Sequence, residues 1–168
     1  MTSELTSGRW VAVPTETTVT ATVKNLKFMT VDTTFDVTSA EVDLTDDPAT
    51  SKVEVVVDAK SFESGLSKRD EHVKSPDFLD ADAHPEIRFV STGVQRAGTA
   101  YVVEGKITLA DTSVTASFGV AYRILDDDRV SFTATTQLDR RDLGLSRAPA
   151  LLISHEVAIR VDGVATTA

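Results

Sequence analysis

Apolar and polar residues alternate with a period of two along most of this chain. That pattern puts successive side chains on opposite faces of an extended backbone and predicts β-strands. Residues 7–13 form the first such run, with Trp10 and Ala12 on one face, and Pro14 stops it. Residues 17–23 follow, with Val19, Ala21 and Val23 inward. Over 35–44 the inward set moves from Phe35 and Val37 to Val42 and Leu44, a one-residue slip that predicts a β-bulge near Ser39. Thr45-Asp46-Asp47-Pro48 then reads as a turn. The strongest run is 52–62, with Val53, Val55, Val57 and Ala59 on one face and Glu54, Val56, Asp58 and Lys60 toward water. Residues 86–94 and 100–110 pair across a hairpin loop at 95–99. Gly105, in the row of Tyr101, Val103, Ile107 and Leu109, marks a bend or a close approach of another group. Asp111-Thr112-Ser113 makes a rather open turn into 114–125, which leads through Asp126-Asp127-Asp128 to Val130, Phe132, Ala134 and Thr136. A strand over 154–161 ends the series, giving eight or nine strands, enough to close a barrel around one small ligand.

One stretch, residues 61–92, breaks the alternation. Ser-Gly, Ser-Pro and His-Pro pairs frame a short charged helical turn near 67–74. Ser67 is placed to cap it, with Asp70 three residues on. Pro76 ends it by pushing Ser75 out of the helical region, and beyond Pro85 the alternation resumes at Ile87 and Phe89.

The same stretch carries Ser61, Gly65, Lys68-Arg69-Asp70, His72, Ser75, Asp77-Phe78, Asp80, Pro85, Phe89 and Ser91-Thr92 in the order and spacing of the signature segment of the YceI-like family, which the chain resembles from about Trp10 to Val161. Arg140, Asp142, Leu143 and Gly144 resemble a second element of that family, with Leu143 where an aromatic residue is usual. The resemblance implies an all-β fold: a single antiparallel, eight-stranded, extended, lipocalin-like barrel over 1–168, with a long polyisoprenoid chain held in its lumen. The chain departs from the pattern at Asn25-Leu26-Lys27 and Asp32-Thr33, where the family usually has a His-Leu-Gly segment and an Arg-Gly pair. Leu26, Phe28, Val31 and Phe35 keep the apolar skeleton there.

Composition narrows the classes. With 41% hydrophobic and 26% charged residues the chain is globular, and it is long enough for one domain. Its net charge of −9 disfavours nucleic acid and anionic membrane surfaces, which need a basic counterpart. The absence of cysteine excludes disulfides, thiolate metal sites and thiol nucleophiles. No run is long and apolar enough to span a bilayer, and the first residues carry no secretory signal, so a cytoplasmic location is expected. A homodimer stays open.

Candidate chemistry is thin. Arg69, Asp70 and His72 could hold a polar head group, or could pin their loop over a barrel end by local charge-assisted hydrogen bonds; the second use is favoured, and the same alternatives apply to Arg140 and Asp142. Asp77, Asp80, Asp82 and His84 lack the glycine and distal glutamate of a calcium loop, and no metal or other cofactor is expected. Ser154-His155-Glu156 has the residue types of a hydrolytic triad, but neighbours along a strand face opposite ways. What remains is the interior. Phe28, Phe35, Val55, Val57, Phe89, Ile107, Phe118, Tyr122 and Phe132 are the expected lining, suited to a polyisoprenoid or an isoprenoid quinone. The alternatives are a barrel filled by its own side chains, serving stress or interaction, and an enzyme using the barrel as a chamber for a small apolar substrate.

Overall fold

The computed structural model describes residues 5–24, 29–145 and 154–168. Among them are nine strands, β1 (Gly8–Ala12), β2 (Thr18–Lys24), β3 (Thr30–Leu44), β4 (Lys52–Glu63), β5 (Glu86–Ala97), β6 (Ala100–Leu109), β7 (Thr112–Asp126), β8 (Arg129–Asp139) and β9 (Glu156–Thr167), and one helix, α1 (Ser67–Lys74).

The strands make eight staves rather than nine, because β1 and β2 share one. Both lie between β3 and β9: β1 pairs with the end of β3 at Leu44 to Glu41, and β2 with its beginning at Asp36 to Thr30. On the other side β1 meets Thr167 to Ala165 and β2 meets Asp162 to Ala158. Between them the chain makes a short 3-10 turn, Pro14–Glu16. Proline lacks the N–H a ladder needs, so the stave breaks at that point. Every other neighbour is sequential from β9 back to β4, and β4 pairs with β3 to close an all-antiparallel barrel.

The expected bulge is present: the β3–β4 register shifts between Val37 and Ser39. It turns Ala40, Val42 and Leu44 inward after Phe35 and Val37. Three sequence expectations need correction. Val56, assigned to the wet face of β4, is only 5% exposed; it lies opposite Ser39 on one side and Arg88 on the other, and the Arg88 guanidinium reaches past it to Glu54. The loop expected at 95–99 is a two-residue turn, because β5 and β6 stay paired to Ala97 and Ala100. The turn expected to be open at 111–113 is also tight, with Leu109 opposite Thr112 and Ala110 in the left-handed region at φ +53°.

Between β4 and β5 the wall is incomplete. The two strands pair only from Glu54–Val90 to Asp58–Glu86, after which one more bond joins Ala59 N–H to the Pro85 carbonyl. Residues 64–85, including α1, fill the gap and bring Val73, Leu79 and Ala81 to burial.

Candidate functional site: the barrel lumen

A cavity of about 360 Å³ runs along the barrel axis, within the usual ligand range of roughly 300–1,000 Å³. Its wall is built by the period-two rule: each strand contributes every second residue, so Val19 and Ala21 of β2, Val103 and Ile107 of β6, and Ile159 and Val161 of β9 all face in. The expected lining residues Phe35, Val55, Val57, Phe89, Ile107, Phe118, Tyr122 and Phe132 border it, while Phe28 lies outside the described residues.

Two apolar clusters bound the cavity lengthwise. At the end where β1 enters and β5 turns into β6, Trp10, Leu44, Val94 and Tyr101 pack together. The Trp10 indole N–H donates to the Thr6 carbonyl at 3.0 Å, which satisfies its one polar atom. At the other end Phe62, Val73, Leu79 and Leu109 are buried, with Phe78, Leu143 and Leu145 against them. Aromatic rings meet edge to face along the wall, Phe35 on Phe62 at 5.3 Å and Phe89 on Phe118 at 5.1 Å between centroids.

Gly105 resolves the bend-or-approach alternative in favour of approach. A Cβ there would stand 2.4 Å from the Val90 carbonyl oxygen and 2.6 Å from the Phe89 ring. The missing side chain is what lets β5 and the Phe89 ring lie against β6.

Arg69 and Asp70 of the signature stretch both bond within it, to Ser64. Ser67 is not the cap: the residue before the helix is Leu66, with no side-chain cap, and Ser67 is the first helical residue. Asp70 instead accepts from the Ser64 N–H at 2.9 Å and from its hydroxyl. Arg69 donates from Nε to Ser64 Oγ at 2.7 Å and from Nη2 to the Ser64 carbonyl at 2.8 Å. Both charged residues therefore close one turn. His72 is half-buried and its carbonyl accepts from the Ser75 hydroxyl. Phe78 reaches the cavity wall, whereas Asp77 is exposed.

Arg140 is 5% exposed and borders the cavity at the same end. Its Nε donates to the Ser154 carbonyl at 3.1 Å and its Nη1 to the Leu145 carbonyl. Burial lowers its pKa, and the Asp139 carboxylate opposes that. Asp142 is exposed on the 3-10 turn Arg140–Leu143. Asp139 accepts from the Arg141 guanidinium and from its backbone N–H, which together hold the carboxyl well below the usual carboxylate range.

The remaining candidates are scattered. Asp80 stands 4.0 Å from His84 and Asp82 stands 3.9 Å from Lys60. Among the described residues no group of three or more His, Asp or Glu is arranged to hold a metal ion. The Ser154 hydroxyl donates to the Glu156 carbonyl and accepts from the Lys24 N–H, so it serves strand pairing. The lining contains no carboxylate or imidazole among the described residues.

Alternation in the sequence indicates the wall residues of each strand. The sequence does not mark the residues at the helical end: Val73, Leu79 and Leu145 lie on a helix and loops, where no period shows a buried side.

The model of the YceI-like domain matches residues 10–165. A UPF0312 protein of Pseudomonas putida strain W619 is 33% identical over 123 residues, covering 70% of this chain and 64% of that protein. A UPF0312 protein of Azotobacter vinelandii is also 33% identical, covering 70% of this chain and 65% of its own. The chain thus spans just under two thirds of the length of these curated relatives. Among solved structures, Burkholderia cenocepacia BcnA superimposes with a TM-score of 0.79 at 24% identity, over 92% of this chain and 99% of that one. A polyisoprenoid binding domain from Saccharophagus degradans, implicated in plant cell wall breakdown, gives 0.73 at 10% identity, over 97% and 100%. At these identities the structural likeness establishes the fold.

Proposed function

Because this chain belongs to the YceI-like family, we propose that it binds a long apolar molecule in its lumen, a polyisoprenoid or an isoprenoid quinone, for storage or transport. The observation that carries this reading is the lining of the cavity, which is hydrocarbon over nearly its whole length. Among the described residues no buried side-chain nitrogen or oxygen lacks a hydrogen-bond partner. A ligand with polar groups along its length would leave them unpaired, at about 1–3 kcal/mol each, whereas a hydrocarbon gains about 0.8 kcal/mol for each CH₂ removed from water. Rather than a compact ligand, the elongated cavity suits a chain. One fold relative is a polyisoprenoid binding domain, which makes an isoprenoid the first ligand to try.

The competing readings have less support. A barrel filled by its own side chains would not leave about 360 Å³ along its axis. A reaction chamber would call for an acid–base group in the lumen, and the described lining offers only arginines as charged residues. Extraction of the purified protein into organic solvent, followed by mass spectrometry, is expected to yield an isoprenoid lipid at about one per chain. A clean extract, together with no binding of added isoprenoid alcohol by the delipidated protein, would overturn the proposal.

A further inference from the structure

We propose that Gly163 sets the width of the lumen beside Phe132, and so decides whether a methyl-branched chain can pass that point; this rests on the lumen-binding reading above. Val161 and Ala165 both border the cavity, so alternation along β9 puts position 163 on the same inward face. Phe132 of β8 is its direct cross-strand partner. A Cβ built on Gly163 would stand 2.5 Å from Thr17 Oγ1, 2.7 Å from Thr17 Cγ2 and 2.8 Å from the tip of the Phe132 ring. The ring therefore occupies the space that a side chain at 163 would fill, lying against the wall instead of across the bore.

Both neighbours stand inside contact distance, so both must give, and how each is held decides where it goes. Thr17 is 3% exposed, ends the 3-10 turn that breaks the first stave, and donates its hydroxyl to the Val13 carbonyl at 2.8 Å. Phe132 makes no hydrogen bond through its ring, and one of its sides faces the open cavity. A methyl group at 163 thus turns the Thr17 side chain against its hydrogen bond to Val13 and drives the ring into the lumen. Gly105 shows the contrast, since a Cβ there would meet the Val90 backbone carbonyl, which cannot step aside. Of these two inward glycines, the one whose neighbours are all side chains is the one that can act as a gauge without breaking the sheet.

The test compares a straight chain, octadecanol, with a methyl-branched one, geranylgeraniol, on delipidated wild type, G163A, G163A/F132L and F132W. Excluding a few methyl groups from an apolar bore changes affinity by roughly tenfold or more. The expected result is that G163A keeps octadecanol within about twofold and loses geranylgeraniol by about tenfold, and that G163A/F132L recovers it. Equal loss of both alcohols by folded G163A, no loss of either, or no recovery in the folded double variant would overturn the inference. If G163A does not fold, F132W narrows the same point without touching β9, and undiminished discrimination-free binding by it would be equally contrary. Should wild type bind neither alcohol, the lumen-binding reading falls by itself. The crystal structure of G163A then decides the gauge: a Phe132 ring swung into the bore upholds it, and a ring left in place, with Thr17 or β9 alone displaced, refutes it.

Discussion

Ala110 sits in the left-handed region at φ +53°, at the first position of the two-residue turn between β6 and β7. An L-residue with a Cβ pays about 1–2 kcal/mol to be there, and glycine returns roughly 0.4–1 kcal/mol of that through its freer unfolded chain. Ala110→Gly is therefore expected to stabilise the fold by about 0.5–1 kcal/mol in urea denaturation; a loss of stability would mean that the turn is not as described. This turn was illegible in the sequence because Ala-Asp carries none of the glycine or asparagine that usually announces such a geometry. The capping pattern misleads for a related reason. Ser67 with Asp70 fits the capping pattern by spacing, yet Asp70 reaches back six residues to Ser64, where Arg69 also binds. Gly105 was the opposite case, since a glycine in an otherwise bulky inward row has few uses, and close approach was among those expected.

Among the elements, β8 and β9 pair without interruption from Arg129–Thr166 to Asp139–Glu156, whereas β4 and β5 part after Asp58 and leave the closure to residues 64–85. Within α1 only Val73 is buried, and the other anchors, Leu79 and Ala81, lie beyond it. A stretch held by so few apolar side chains should open at lower free energy than the ladders on the far side. Amide hydrogen exchange is expected to be fastest among structured amides at residues 67–81 and slowest in β8 and β9. Uniform protection across both would contradict the idea that the wall has a weak panel here. Strand positions were legible because alternation reports them directly, the bulge at Ser39 included. The panel's inner side was not, because a helix that is polar nearly all round shows no stripe, and its burial depends on a gap created by strands distant in sequence. Alternation puts Val56 toward water because it cannot register Arg88 directly opposite on the next strand.

For the molecule as a whole, an elongated apolar bore inside a shell of net charge −9 separates two kinds of affinity. Attraction to a charged partner would fade as salt screens it, over a distance of about 8–10 Å at ordinary ionic strength. Burial of hydrocarbon has no such dependence, and salting-out ions strengthen it. A ligand that binds only the closed barrel also adds to its stability by mass action, by about 2.7 kcal/mol when present at a hundred times its dissociation constant. For a chain of this size that corresponds to a rise in melting temperature of roughly 5–10 °C. Scanning calorimetry of the delipidated protein, with and without geranylgeraniol, is expected to show such a rise, and to show it undiminished when sodium chloride is increased. A rise that disappears in salt would contradict burial of the chain in the bore. No rise at all would mean that the folded barrel does not bind geranylgeraniol, and the lumen reading would fall with it.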